Sequence, residues 1–233
     1  MLRAVDIALM IDHSLLRPEL TQQDVVEGCR LARELQTKSV CVAPCNVKLA
    51  VGELAGSPVL TTTVIGFPHG YQATEVKAAE ARRALDDGAA ELDMVLNIGW
   101  LRSGAHDRVE ADIRSVVELA HARRVLVKVI LENCYLTDAQ KVEGCRIAER
   151  AGADFVKTST GFGSGGSTLE DLRLMRRTVG PNVQVKAAGG VRTLDAALAV
   201  RATGATRFGA TATRAILEEA RKREAAGTLK LPA

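Results

Sequence analysis

Gly152-Ala-Asp-Phe-Val-Lys157 packs a helix end, a tight turn and the start of a strand into a few residues. Glycine closes a helix by adopting the left-handed conformation, and alanine lets the next strand begin close to it. The same Gly-Ala step returns in Gly88-Ala-Ala-Glu-Leu-Asp93 and Gly204-Ala-Thr-Arg-Phe208. Each precedes a short apolar run, so the repeating unit is a helix leading into a strand. Working outward, strand-like runs fall at Met10–His13, Ser39–Val42, Leu60–Gly66, Glu91–Asn97, Val125–Leu131, Asp154–Lys157, Val183–Ala187 and Thr206–Gly209. Several are continuously apolar, as parallel strands buried on both faces are.

Amphipathic stretches lie between them, at Thr21–Leu35, Thr74–Asp87, Ala105–Ala122, Thr137–Ala151, Ser167–Val179, Thr193–Thr203 and Thr211–Ala225. Thr21 with Asp24 three residues on forms a near capping box, and Pro44 suits the first residue of a further helix. Eight strand and helix units joined by short connections predict a (β/α)₈ barrel, α/β in class, as one domain over residues 1–233. A doubly wound open sheet is the alternative, but no GxGxxG follows the first strand.

Composition narrows the partners. A net charge of +3 with dispersed basic residues, and 3% aromatic residues, leave little for gripping or stacking on nucleic acid. No run approaches the roughly 18 apolar residues of a membrane span, and the amino terminus lacks a signal-peptide pattern. Five cysteines without metal-like or CxxC spacing read as reduced thiols of a cytoplasmic protein.

The chemistry is suggested by lysines in the wrong surroundings. Lys128 lies inside Val125-Leu-Val-Lys-Val-Ile-Leu131, Lys157 ends Phe155-Val-Lys157, and Lys186 ends Val183-Gln-Val-Lys186. Burial disfavours an ammonium, and a desolvated neutral amine is a nucleophile for carbonyls. Taken singly, each is equally readable as a strand-end lysine in a surface ion pair. Active sites of such barrels lie at the C-terminal strand ends, where Asp12, Asp93, Lys157 and Lys186 would meet. Lowering an amine from about 10.4 to near 7 takes roughly 4–5 kcal/mol, within reach of one close cation plus desolvation. Asp93 would offset the excess positive charge and move protons.

Glycine-rich loops follow the last strands: Thr158-Ser-Thr-Gly-Phe-Gly-Ser-Gly-Gly166, Ala187-Ala-Gly-Gly190 and Gly209-Ala-Thr-Ala-Thr213. Exposed backbone amides there would form an anion site, with Ser159, Thr160, Ser167 and Thr211 as hydroxyl donors. His13, His69, His106 and His121 show no metal-ligand spacing, so neither a metal nor a cofactor is expected.

Phe155-Val-Lys-Thr-Ser-Thr-Gly-Phe-Gly163, Val185-Lys-Ala-Ala-Gly-Gly-Val-Arg192, Glu91-Leu-Asp-Met-Val-Leu-Asn97, Ile11-Asp-His-Ser-Leu-Leu16 and Thr63-Val-Ile-Gly-Phe-Pro68 together resemble the deoxyribose-phosphate aldolase family over nearly the whole chain. The resemblance implies a metal-free class I aldolase, a homodimer or homotetramer, cleaving 2-deoxy-D-ribose 5-phosphate into acetaldehyde and glyceraldehyde 3-phosphate. It assigns Lys157 as the Schiff-base lysine, Lys186 as its activating neighbour and Asp93 as the proton relay. It places Asp12, Cys41, Lys128, Thr158, Gly161, Gly189, Gly190, Gly209 and Thr211 around the substrate. Where the family usually carries Gly-Thr-Ser-Ser or Gly-Thr-Ser-Ala near the phosphate, this chain reads Gly209-Ala-Thr-Ala212. Rival readings are a related lysine aldolase for another or an unphosphorylated aldehyde, a metal-dependent aldolase, and a non-catalytic scaffold barrel.

Overall fold

The computed structural model describes residues 2–232. Eight parallel strands close into a barrel in sequence order: β1 (Ile11–Leu15), β2 (Ser39–Val42), β3 (Leu60–Ile65), β4 (Glu91–Val95), β5 (Leu126–Ile130), β6 (Phe155–Lys157), β7 (Gln184–Ala187) and β8 (Arg207–Ala210). β8 pairs back onto β1 through Asp12 opposite Gly209, so no edge is left open. The expected barrel is therefore the observed one.

Helices α1 (Ala4–Ala8), α2 (Gln22–Leu35), α3 (Val47–Glu53), α4 (Thr74–Asp86), α5 (Ile98–Arg102), α6 (His106–His121), α7 (Asp138–Arg150), α8 (Leu169–Thr178), α9 (Leu194–Ala202) and α10 (Thr213–Ala225) surround it. The anticipated capping box is formed: Thr21 N–H donates to Asp24 Oδ2 at 2.7 Å, and Asp24 N–H donates to Thr21 Oγ1 at 3.2 Å. Pro44 opens a 3₁₀ turn, Pro44–Asn46, that runs into α3. The three Gly-Ala steps behave as their residues require, with φ of 98° at Gly88 and 89° at both Gly152 and Gly204. Ala89 and Ala153 then donate back to Ala84 O and Ala148 O, each at 3.0 Å, which satisfies carbonyls left open at the helix ends.

The short helices α1, α3 and α5 carry too few turns to show a helical period in sequence. One position also shifts. β1 continues to Leu15, so Asp12 is the second residue of the strand rather than its end.

Alternation along the strands separates two interiors. Outward residues such as Val40, Leu92, Met94, Val127, Val156, Val185 and Phe208 are 0% exposed and belong to the apolar layer under the helices. Each such large side chain contributes on the order of 1.5–3 kcal/mol by leaving water. The inward set is unlike that layer: Asp12, Ser39, Glu91, Asp93, Lys128, Lys157, Lys186 and Arg207 are polar and all buried.

Candidate active site

The polar interior is a single ionic cluster built by register. Asp93 faces Lys128 across β4 and β5, Lys157 faces Lys186 across β6 and β7, and Lys186 faces Arg207 across β7 and β8. Asp93 is the hub. Its Oδ1 accepts from Lys128 Nζ at 2.8 Å, and its Oδ2 accepts from Lys157 Nζ at 2.7 Å and Lys186 Nζ at 2.6 Å. The three lysines are 0–3% exposed, which removes the surface ion pair as an account of them.

Further carboxylates hold the outer members. Lys186 also pairs with Asp12, and Lys128 Nζ lies 2.6 Å from Glu91 Oε2. Arg207 reaches Asp12 Oδ1 at 2.6 Å and both oxygens of Glu91 at 3.0 Å. Ser39 donates to Asp12 at 2.7 Å and Thr62 to Glu91 at 3.1 Å. Beneath them the Phe155 ring faces the Arg207 guanidinium, 5.5 Å from its centroid.

Charge counting shows which group gives way. Four basic side chains share three carboxylates, Asp12, Glu91 and Asp93, so the cluster balances when one amine is neutral. Burial lowers the pKa of Lys157; Asp93 opposes that, and the Lys186 ammonium adds to it, leaving a net fall. Burial acts on Lys186 in the same sense, but Asp12 and Asp93 outweigh it and hold Lys186 well above its ordinary value. Lys128 is also raised: desolvation is overcome by Asp93 and Glu91. Asp93, despite burial, is held well below the usual carboxylate range by Lys128, Lys157 and Lys186. The amine with the fewest counterions is thus the one whose pKa falls.

It is also an amine that faces open space. A cavity of about 280 Å³ at the barrel mouth is lined by Asp12, Cys41, Lys157, Lys186, Gly161, Gly189, Gly190, Gly209 and Thr211 among others. Lys128 and Thr158, expected around the substrate, and Asp93, expected as the proton relay, are not on its wall. Asp93 and Lys128 sit a layer below, both 0% exposed. Thr158 is a staple between strand ends, its hydroxyl accepting from Ala188 N–H at 3.0 Å and donating to Ala188 O at 3.3 Å. Cys41 reaches the wall, but burial, reinforced by Asp93, pushes its thiol up to about 11, so it stands there as a neutral group.

The anion-binding expectation is redrawn in part. The N–H groups of Gly161, Gly189 and Gly190 donate to no protein acceptor among the described residues, and φ values of 89°, 79° and 97° let these glycines bend around the mouth. Of the hydroxyl donors, Ser167 is spent on Gly189 O at 3.0 Å, Thr160 on the Glu132 carboxylate, and Ser159 is fully buried. Thr211 remains, exposed on the wall.

Arg17 and Arg192, not anticipated as lining residues, bring positive charge to the rim. Glu91 and Arg207 were overlooked too, although both sit in apolar strands and carry the same anomaly that marked the lysines. The histidines stay apart. His13 bonds Thr213 at 2.8 Å, His69 stacks on Tyr71, and His106 and His121 pair with Glu143 and Asp154 from α6. No helix among the described residues is long and apolar enough to cross a membrane.

The chain is similar to known proteins over nearly its whole length. A model of the DeoC/LacD family aldolase matches residues 7–219. The chain is 52% identical over 222 residues to the deoxyribose-phosphate aldolase of Thermococcus gammatolerans, covering 94% of this chain and 99% of that one. It is also 52% identical to the corresponding Rhodopirellula baltica enzyme, across 93% of this chain and 90% of the relative. Among solved structures, the tetrameric deoxyribose phosphate aldolase of Aeropyrum pernix superimposes with a TM-score of 0.87 at 32% identity, covering 93% of this chain and 91% of that one. By family model, sequence identity and fold alike, the chain belongs to the DeoC/LacD aldolase family.

Proposed function

We propose that this protein is a class I aldolase that reversibly cleaves 2-deoxy-D-ribose 5-phosphate to acetaldehyde and D-glyceraldehyde 3-phosphate, with Lys157 as the Schiff-base nucleophile. The observation that carries the reading is the Lys157 amine: its pKa is lowered, it hydrogen-bonds Asp93 at 2.7 Å, and it lines the cavity.

The neutral amine adds to C1 of the open-chain aldehyde, and loss of water gives a protonated imine. That cationic nitrogen draws the C2–C3 bonding electrons into an enamine as the C3 hydroxyl gives up its proton and becomes the aldehyde of glyceraldehyde 3-phosphate. Protonation of the enamine at C2, then addition of water, releases acetaldehyde and restores the amine. Asp93, below the cavity wall, exchanges protons with the site through the Lys157 amine it hydrogen-bonds at 2.7 Å. Lys186, held charged between Asp12 and Asp93, adds to burial in lowering the Lys157 pKa and helps keep Asp93 ionised. The phosphate end is taken by the free amides of Gly161, Gly189 and Gly190, the Thr211 hydroxyl, and the charge of Arg17 and Arg192.

Borohydride added with substrate attaches a two-carbon fragment to Lys157, read by peptide mass spectrometry; an adduct on Lys128 or Lys186 instead refutes the assignment. Comparing kcat/KM for deoxyribose and its 5-phosphate tests the substrate, which matters because Ala212 contributes no hydroxyl. The five cysteines are all free, which suits a reducing cytoplasm. A dimer or tetramer is the assembly we infer, and sedimentation velocity measures it.

A further inference from the structure

Glu132 is a buried carboxylate that the reaction does not use. It is 2% exposed, makes no ion pair among the described residues, and holds a left-handed backbone, φ 57° and ψ 65°, rare for a residue other than glycine. Such a conformation is strained and persists where the surroundings enforce it. Here the carboxylate is aimed at the loop leaving β6. It accepts the Thr160 N–H on Oε1 at 3.2 Å and on Oε2 at 3.3 Å, and the Thr160 hydroxyl on Oε2. That hydroxyl in turn accepts from Phe162 N–H at 3.0 Å. Next door, Asn133 N–H donates to Thr158 O at 2.9 Å.

The loop lies flush against this support. A Cβ at Gly163 would come within 2.9 Å of Cys134 Sγ and 3.1 Å of Glu132 Cδ. On the other side, a Cβ at Gly166 would come within 2.5 Å of Gly189 O. Between the two supports, Thr160, Gly161 and Phe162 line the cavity, and the Gly161 N–H is left without a protein acceptor among the described residues. A segment reading Gly-Phe-Gly-Ser-Gly-Gly is floppy by composition, and ordering it on binding would weaken affinity.

We propose that Glu132 is a positioning residue: by gripping Thr160 it holds the loop after β6 in the shape that presents the Gly161 amide to the substrate's phosphate, and so sets phosphate affinity rather than amine chemistry. The inference rests on the proposed aldolase reading. Thr160→Val, which keeps the volume and loses the hydroxyl, raises KM for the 5-phosphate about tenfold, the scale of one charge-assisted hydrogen bond. The loss with unphosphorylated deoxyribose is smaller by about fivefold or more, and Thr160→Ser recovers the wild-type KM. Glu132→Gln behaves as Thr160→Val does; if it does not fold, the threonine pair decides.

Equal losses on the two sugars, a shifted pH–rate limb, or an unchanged KM in folded Thr160→Val would overturn the proposal. Calorimetric titration with inorganic phosphate gives a Kd without turnover, expected to weaken in Thr160→Val; unaltered phosphate Kd refutes the clamp. A wild-type protein that binds phosphate but forms no Lys157 adduct refutes the aldolase reading alone.

Discussion

Lys77 and Lys157 are both withdrawn from water, at 0% and 3% exposure, yet the fold uses them differently. Lys77 projects from α4 into the layer outside the barrel, where its Nζ is held by Asp112 at 2.6 Å and Val95 O at 3.0 Å. Asp112 itself is steadied by the Thr74 hydroxyl at 2.8 Å. Lys157 lies inside the barrel and shares its one carboxylate with two other lysines. Burial lowers the pKa of both amines, against Asp112 in one case and Asp93 in the other. A depressed pKa is therefore not what separates a reactive lysine from a structural one. Scarcity of counterions and a cavity wall do that.

The largest effect that would test this contrast is on turnover. Lys157→Leu is expected to lower kcat by about 10⁴-fold or more, since the other amine on the cavity wall, Lys186, is held charged by Asp12 and Asp93. Its stability should change little, because Asp93 keeps Lys128 and Lys186 as partners. Urea titration beside an aldehyde-release assay reads both. Lys77→Met should show the reverse. Asp112 is left buried without a cation, at a cost of about 3–5 kcal/mol in unfolding free energy, while the folded fraction still traps substrate on Lys157. If Lys77→Met abolished trapping at full stability, the division between the two lysines would fail.

Smaller effects sharpen the account of the cluster. With Lys186→Leu the ammonium that helps lower Lys157 is gone, so the Lys157 pKa rises and less amine is neutral at a given pH. The rising limb of the pH–rate profile should move up by about one unit or more, with slower turnover below it. A limb that moved down would mean that Lys186 acts on Lys157 by some route other than its charge. Smallest is Cys41→Ser. Because burial raises that thiol to about 11, kcat should change by less than about threefold, and iodoacetamide near neutral pH should label exposed Cys45 and Cys134 first.

Much of this was legible beforehand, in one class of signal. Gly88, Gly152 and Gly204 announced helix ends because only glycine takes the required φ without strain. Lys128, Lys157 and Lys186 stood out because a charge in an apolar strand demands a partner. Glu91 and Arg207 carried the same signal and were passed over, since neither has a role that free amine chemistry suggests. Lys77 could not be recognised at all: on a helix a lysine reads as solvent-facing, and only the packing of α4 against α6 buries it. The hydroxyls of Thr160 and Ser167 were misjudged for a related reason, because a donor near a binding loop looks available until its acceptor is known.

By itself the sequence determined the barrel, the lysines in its strands and the family, since period, turn chemistry and misplaced charge are local properties. The resemblance named Lys157, but only the tertiary structure selects it physically, as the lysine whose pKa falls while those of Lys128 and Lys186 rise. That choice depends on how carboxylates from β1 and β4 are shared among cations from β5, β6, β7 and β8, and Coulomb interactions at 2.6–3.0 Å exist only once the barrel has closed.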